Sequence, residues 1–300
     1  MKYDLDLSIV IVNWNVKDLL QNCLVSIFEH TANVKFEVIV VDNASPDQSE
    51  VTAMMHSQFP QVKYIPNNNN LGFAKANNQA IILAQGEFVL LMNPDTELRE
   101  NSLLRVVQYL RENEEIGICG CKILNTDHTI QPSVRSFPSL GSQIIIMLKL
   151  HHFFPNMKIL RNYYKKDFDY NQPQEVDQVR GAFFMMRKQM IEKVGLLDDK
   201  YWIWFEEVDY CQRAKEVAWQ VFYLPTAEVF HHWGQSFQKQ ERFKKQFWFN
   251  NSLLRYFWKH GSVFSFAILV LLYPLSLLIT LLLQTAVKNK YLAKQKVEKG

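Results

Sequence analysis

Cysteine is scarce: Cys23, Cys119, Cys121 and Cys211 are the four thiols in a chain of 300 residues. Four make no disulfide framework for a chain this long, and Cys119-Gly-Cys121 lacks the second ligand pair of a structural zinc site. They read as small packing residues in a reducing compartment. Glycine and proline are also few, ten of each, which excludes collagen-like and low-complexity chains. No internal period marks a solenoid. An excess of one charge is missing too. A formal net charge of +3 is too small for a protein whose main work is binding nucleic acid, so no nucleic-acid partner is expected. The first residues, Met1-Lys-Tyr-Asp-Leu-Asp6, do not supply the basic, apolar and small-residue order of a signal peptide. The catalytic part is therefore expected at the cytoplasmic face of the cell membrane.

Apolar side chains are plentiful at 48%, enough for a sizeable core. Short β-branched runs alternate with helical patterns. Strands are expected at Leu7 to Val12, Phe36 to Val41, Val62 to Ile65 and Phe88 to Met92, with helices near Lys17 to Glu29, from about Ser49, and over Leu71 to Ala84. This alternation predicts an α/β protein: a doubly wound, mostly parallel sheet with helices on both faces. Such sheets bind ligands outside the carboxyl ends of their strands.

Polar residues collect at those ends: Asn13 and Asn15, Asp42-Asn43-Ala44-Ser45, Asn67 to Asn70, and Asn93-Pro94-Asp95-Thr96. Any one of these loops suits a turn or a helix cap; their coincidence on one edge points to a ligand. Asp42 is placed to accept hydrogen bonds from a base or ribose. Asp95 offers a hard oxygen ligand to Mg²⁺ or Mn²⁺ on a diphosphate. Gly72, in Asn70-Leu-Gly-Phe-Ala-Lys75, lets the backbone approach a ligand at a helix start.

Farther on, Val179-Arg-Gly-Ala-Phe-Phe-Met-Met-Arg187 reads as an edge segment or strand. Glu206, Glu207 and Asp209 then crowd three carboxylates beside aromatic residues. Neighbouring like charges repel unless a cation or proton is present, so the cluster suggests a general base, and a dipole-favoured helix start is the plainer alternative. His231 and His232 sit at a strand end, where an imidazole can complete a metal site with Asp95.

Val263 to Leu283 contains no charged residue and is long enough as a helix to cross a hydrocarbon core. Lys239, Arg242, Lys244, Lys245, Arg255 and Lys259 precede it, interleaved with Phe, Trp and Tyr, and a lysine-rich tail follows. A single crossing would carry that tail outside, against the positive-inside rule. Pro274 is expected to divide the run into two shorter helices, favouring a re-entrant or in-plane anchor. The expected organisation is a catalytic domain over 1–238, a basic aromatic interfacial helix over 239–262, a hydrophobic anchor over 263–287, re-entrant or spanning, and a tail over 288–300. Gln131-Pro-Ser-Val-Arg135 and the mixed stretch to Tyr170 suggest a lid or membrane-contact helix with Arg135 near a phosphate, or an ordinary surface insertion.

Several of these pieces together resemble the family 2 glycosyltransferases of GT-A fold, in particular their rhamnosyltransferase-like branch. They are Ser8-Ile-Val-Ile-Val-Asn-Trp-Asn, Val40-Val-Asp-Asn-Ala-Ser, Asn69-Asn-Leu-Gly-Phe-Ala-Lys-Ala-Asn-Asn, Leu90-Leu-Met-Asn-Pro-Asp-Thr, Phe205-Glu-Glu-Val-Asp-Tyr-Cys and His231-His-Trp-Gly-Gln-Ser. The resemblance runs over about Leu7 to Gly261. It implies a nucleotide-binding set of Asn13, Asp42, Asn70, Gly72 and Lys75. It implies a divalent metal held by Asp95 and His231, with His232 a one-residue competitor and Asn93 where the family's metal motif has its first Asp. It places the catalytic base on Glu207, with Glu206, Asp209 and Arg135 in support or on the acceptor side.

The implied function is an inverting, metal-dependent transferase. It would move a sugar such as rhamnose from a dTDP- or UDP-linked donor to a lipid-linked glycan in cell-surface polysaccharide synthesis. A transferase making a polyprenyl-phosphate sugar is the nearby alternative, and a non-catalytic membrane-bound scaffold that binds nucleotide or glycan is the alternative of another class.

Overall fold

The computed structural model describes residues 3–232 and 241–297, with side chains of the last helix described up to 285. The boundary expected near 238, Lys239 and the Trp233-Gly-Gln-Ser236 end of the histidine motif lie outside the described residues, as do the side chains of the lysine-rich tail.

The first part alternates as its periodicity predicts: β1 (Leu5–Asn13), α1 (Lys17–His30), β2 (Phe36–Asp42), α2 (Gln48–Gln58), β3 (Lys63–Pro66), α3 (Phe73–Leu83) and β4 (Gly86–Met92). A short β5 (Thr96–Leu98), α4 (Ser102–Glu112) and β6 (Ile116–Leu124) follow. The stretch after β6 forms β7 (Val134–Arg135), α5 (Leu140–Met147), a 3-10 turn (Leu150–His152), α6 (Lys158–Tyr163), β8 (Gln174–Glu175) and β9 (Gln178–Val179). Then come β10 (Phe183–Arg187), α7 (Lys188–Val194), α8 (Glu206–Glu216), β11 (Gln220–His231), α9 (Arg242–His260) and α10 (Val263–Val297).

The main sheet has the order β3-β2-β1-β4-β10-β6-β11-β5, with β8 beside β11. Strands β1 to β4 are mutually parallel and β11 is parallel to β6, while β10 runs against both β4 and β6. Strand alternation feeds two cores. Ile9, Ile11, Phe183 and Met185 face one side of the sheet, and Val10, Val12, Phe184 and Met186 face the other. Of the edge segment or strand expected over 179–187, that two-sided burial bears out the strand. Only Gln178–Val179 pairs in a small ribbon with β7, and Phe183–Arg187 is a central strand, because four consecutive apolar side chains need cover on both faces.

A third core joins Met147 of α5, Tyr201, Phe205 and Val208 to Leu253, Tyr256 and Phe257 of α9 and Leu269 of α10. The basic aromatic helix is thus packed on the catalytic part through one face, while Phe247 and Trp258 stay exposed. Helix α10 is continuous through Pro274, which corrects the expected division into two shorter helices. Proline removes one backbone donor, but Leu269 is fully buried and Ser276 bonds to Met147 and Asn250, so the turns on either side of it are held. Its Val263–Thr285 stretch is long and apolar enough to cross a membrane, with a mean hydropathy of 2.6.

Candidate active site

The parallel register brings the polar strand ends to one edge. Asn13 pairs with Asp42, Asp42 with Pro66 and Ile11 with Met92, so the loops after β1, β2, β3 and β4 lie side by side. The end of β11 arrives beside them because His231 pairs with Thr96 of β5. Above this edge opens a cavity of about 980 Å³.

One end of the cavity is a web of side-chain amides. Asn43 Nδ2 donates to Asn70 Oδ1 at 2.9 Å and to the Gly72 carbonyl at 3.2 Å, and Asn43 Oδ1 accepts from the Leu71 amide. Asn70 Oδ1 also accepts from the Gly72 amide. Gly72 has φ +83°, and a Cβ there would sit 2.9 Å from the Trp202 carbonyl oxygen. Only glycine permits both the backbone and the contact. The amide after it, Phe73 N, donates to that same carbonyl. Asn43, Asn70 and Gly72 line the cavity.

The other expected nucleotide contacts are placed differently. Asn13 and Asp42 are fully buried beneath the web. Asp42 accepts from Asn13 Nδ2 at 2.7 Å, from the Ser45 amide at 2.9 Å and from Gln48 Nε2 at 3.0 Å. In this arrangement the pair shapes the loop from below, and neither lines the cavity. Lys75 lies exposed on α3 and is likewise absent from the cavity wall, because it stands on the solvent side of a helix whose Ala74 and Ala76 face the core.

At the centre, Asp95 Oδ1 lies 3.2 Å from His231 Nε2, and both residues are nearly fully buried. The imidazole is oriented from behind. Gln131 Nε2 donates to Asn125 Oδ1 at 2.8 Å, which turns Gln131 Oε1 toward His231 Nδ1, 2.7 Å away. By this network Nδ1 carries the proton, and the Nε2 lone pair faces Asp95. Two acceptors so close repel unless a cation lies between them or one takes up a proton. Asn93 Nδ2 is 3.4 Å from the same Nε2. His232 turns away: its Nε2 is 2.9 Å from Glu97 Oε1 and its amide donates to the Asp95 carbonyl. Of the two histidines, His231 is the one that faces Asp95.

Across the cavity stands the start of α8. Trp204 and Phe205 both have positive φ, 63° and 69°, a conformation that costs bulky residues roughly 1–3 kcal/mol each. This turn delivers Glu206 and Glu207 to the cavity wall. Their Oε2 atoms are buried without a hydrogen-bond partner. Burial raises both carboxyls above the ordinary range. For Glu206 the adjacent Glu207 charge adds to the rise, and for Glu207 the Arg135 and Arg180 charges partly offset it.

Asp209 was expected in the same cluster and is not in the cavity. Two positions beyond Glu207 on a helix, it lies on the opposite side, where Arg213 Nε bonds it at 2.8 Å, Lys259 Nζ at 2.5 Å and His260 Nε2 at 2.8 Å. Burial pushes its carboxyl up, but the bonds from His260 and Lys259 and the Arg213 charge outweigh this and hold it at about 2. Asp209 therefore ties α8 to α9. Its pKa lies below the ordinary 3.8, so this stability is present above about pH 4 and is lost as pH falls toward 2. Asp209→Asn is expected to cost about 2 kcal/mol near neutrality, and chemical unfolding of the variant from pH 7 to pH 3 should show that the difference shrinks with acid.

Arg180 escaped the sequence reading. It sits between β9 and β10, lines the cavity, and donates to Gln131 Oε1 at 2.5 Å. Burial lowers its guanidinium to about 10, against the opposing pull of Glu207 and Asp95. Gln131 thus bonds both Arg180 and His231. The adjacent Gly181 is a signal that the run does not continue as one strand. Arg135 also reaches the cavity, its guanidinium 5.3 Å from the Tyr164 ring centre. Among the described residues no group of three His, Cys, Asp or Glu gathers as a metal cluster, so Asp95 and His231 are the two ionisable ligands on offer.

Comparison with known proteins adds the following. The family model described as "Glycosyl transferase family 2" matches residues 8–195. The chain is 26% identical over 243 residues to an N-acetylglucosaminyl-diphospho-decaprenol L-rhamnosyltransferase of Mycobacterium tuberculosis, covering 77% of each. It is 24% identical over 260 residues to the rhamnosyltransferase WbbL of Escherichia coli, covering 83% of this chain and 91% of the relative. The mannosyltransferase PcManGT of Pyrobaculum calidifontis, solved with GDP-Man and Mn²⁺, superposes with a TM-score of 0.58 at 14% identity, over 98% of this chain and 83% of that one. GalNAc-T7, solved with UDP, GalNAc and Mn²⁺, gives 0.57 at 15% identity, over 76% and 44%. These structural likenesses show the GT-A type of fold.

Proposed function

The chain belongs to glycosyltransferase family 2 and is a nucleotide-sugar dependent glycosyltransferase, and from that premise we propose that it transfers a hexose of the rhamnose class to a lipid-linked glycan with inversion at the anomeric carbon. The observation that carries this reading is the meeting of Asp95 and His231 with Glu207 in one cavity. The amide web of Asn43, Asn70 and Gly72 offers the nucleotide a wall, with Asn13 and Asp42 setting its shape or opening to the base.

The donor set fits a divalent cation such as Mg²⁺ or Mn²⁺: a carboxylate oxygen and an imidazole lone pair point at one another. Asp95 and His231 would hold it. When bound, such a cation offsets negative charge on a leaving diphosphate. Structures of two GT-A proteins with Mn²⁺ support this choice.

Glu207 accepts the proton of the acceptor hydroxyl. The hydroxyl oxygen forms the new bond to the anomeric carbon as the bond from that carbon to the diphosphate oxygen breaks, and the electron pair leaves with the nucleoside diphosphate. One displacement inverts the configuration. A carboxyl raised by burial is a suitable base, since its proton affinity lies closer to working pH. Two carboxyls that each bury an oxygen without a hydrogen-bond partner are also a costly feature for a non-catalytic scaffold to keep.

The acceptor class rests on α10 and on the mycobacterial relative, whose name gives it a diphospho-decaprenol acceptor. Membrane association at the cytoplasmic face through the 263–287 segment is part of the same proposal, with 1–238 as the catalytic domain. The purified chain, given a panel of dTDP-, UDP- and GDP-sugars and an extract of membrane lipids, is expected to release nucleoside diphosphate from one donor class and to extend a diphosphate-linked lipid. A labelled lipid monophosphate sugar in the extract would instead support the polyprenyl-phosphate alternative.

A further inference from the structure

The cavity does not end at Asp95, His231 and Glu207. Its far wall comes from elements outside the family's motifs: Lys149, His151 and His152 in and just before the 3-10 turn that follows α5, and Arg242, Lys244 and Lys245 in the first turn of α9. Among the described residues, none of Lys149, Arg242, Lys244 or Lys245 has a carboxylate within ion-pair distance. Burial and the Arg242 charge push the Lys149 ammonium below the ordinary lysine range. Cations gathered without counter-charge repel one another, and a polyanion would relieve them.

A buried polar knot holds this wall in place. Lys149, itself at φ +61°, donates its Nζ to Gln246 Oε1. Gln246 Nε2 donates to Asn250 Oδ1 at 2.7 Å and to Ser276 Oγ at 3.1 Å, and Ser276 Oγ donates to the Met147 carbonyl at 3.0 Å. Ser276 and Thr280 are buried although they belong to the apolar Val263–Thr285 stretch. The other face of α10 carries Leu271, Leu278 and Leu282, which are 76%, 52% and 60% exposed. Thr280 and Leu283 of the same helix reach the cavity. A basic wall and a long exposed apolar face therefore meet at one helix.

We propose that this wall seats the diphosphate of a polyisoprenyl-diphosphate-linked acceptor, with the isoprenoid leaving along the exposed face of α10 and the acceptor sugar directed at Glu207. The assignment rests on the lipid-linked acceptor proposed above and gives that acceptor a place. The donor diphosphate belongs at the centre, by Asp95 and His231, with the nucleotide toward the amide web. At about 980 Å³ the cavity is at the large end of the roughly 300–1,000 Å³ usual for ligand pockets. Arg242 and Lys244 are exposed and could also meet bulk anionic phospholipid, but Lys149 is half-buried, its Nζ held by Gln246, and lines the inside of the cavity.

The test uses the full chain in neutral detergent, with farnesyl diphosphate as the probe and dTDP and UDP as controls. Arg242 is exposed and Lys245 half-buried, so the R242Q/K245Q variant tests charge with little risk to folding, and a thermal melt checks that it folds. The variant is expected to bind farnesyl diphosphate at least about tenfold more weakly, the size of one lost charge-assisted hydrogen bond. Binding of dTDP and UDP should not change, and KM should rise for the lipid acceptor and not for the donor. Unchanged farnesyl diphosphate binding overturns the assignment. So does an equal loss of nucleotide binding, which would put the wall in the donor site, or a loss confined to vesicles of anionic phospholipid, which would make it a general lipid contact. Because binding is measured without transfer, a wild-type chain that binds the probe yet uses no lipid acceptor refutes the acceptor reading, whereas one that uses such an acceptor without binding the probe refutes the basic-wall seat.

Discussion

Glu207→Gln lowers kcat by roughly 10²–10⁴-fold, the range for loss of a positioned base, and leaves nucleoside diphosphate binding within about twofold, since the change removes a group that acts on the acceptor. The same variant is expected to be more stable than the parent. Glu206 and Glu207 are both raised above the ordinary 4.5 by burial. A carboxyl whose folded pKa is raised keeps its proton longer in the folded state than in the unfolded one. Its favourable contribution is full below about pH 4.5 and is lost as pH rises through the raised value. Near neutrality the pair opposes folding, and exchanging a charge for an amide should recover on the order of 1 kcal/mol. Glu206→Gln should share the gain in thermal stability. The parent's kcat/KM should fall on the acid side with a midpoint above 4.5, because the base must be unprotonated to act, and residual activity in Glu207→Gln should lack that limb. Full transfer by Glu207→Gln, measured as nucleoside diphosphate released with acceptor present, would remove Glu207 as the base.

The parts legible in the sequence are those fixed by short-range pattern. Ile9 and Ile11 alternate with Val10 and Val12 because both faces of β1 are covered, and the same two-sided cover follows for any apolar run flanked by helices. Polar residues at the ends of parallel strands fall on one edge by topology alone, so Asn43, Asn70 and Asp95 come together without knowledge of side-chain geometry. What the sequence did not reveal depends on direction. His231 and His232 are equivalent in composition, and their separation follows from the pairing of β11 with β5, which aims successive side chains to opposite sides. Asp209 and Glu207 are two residues apart and part company for the helical equivalent of that reason. Arg180 looked like one residue of a continuous strand, and the break at Gly181 that turns it inward is tertiary. Pro274 marks a helix breaker by local rule, and long-range contacts by Ser276 and Leu269 overrule it.

The two histidines give the second large effect. His231→Ala is expected to weaken Mn²⁺ binding, and with it Mn²⁺-dependent binding of the nucleotide sugar, by more than the ~10–100-fold that outer-shell changes cost at metal sites. His232→Ala should leave both nearly unchanged, because its ring is held by Glu97 and faces away from Asp95. Gln131→Leu is the intermediate case. It keeps the imidazole but removes the acceptor that holds the proton on Nδ1 and the partner that bonds Arg180. Without that acceptor the two tautomers come closer in energy, and the one protonated on Nε2 presents no lone pair to a cation. A loss within the ~10–100-fold outer-shell range is therefore expected for Gln131→Leu, read by calorimetric titration of Mn²⁺ into the chain with UDP or dTDP present. Asp95→Asn should match His231→Ala in that titration, since both remove one of the two ionisable ligands. If His232→Ala proves the damaging change and His231→Ala the silent one, the cation does not lie between Asp95 and His231, and the diphosphate must be held elsewhere on the strand edge.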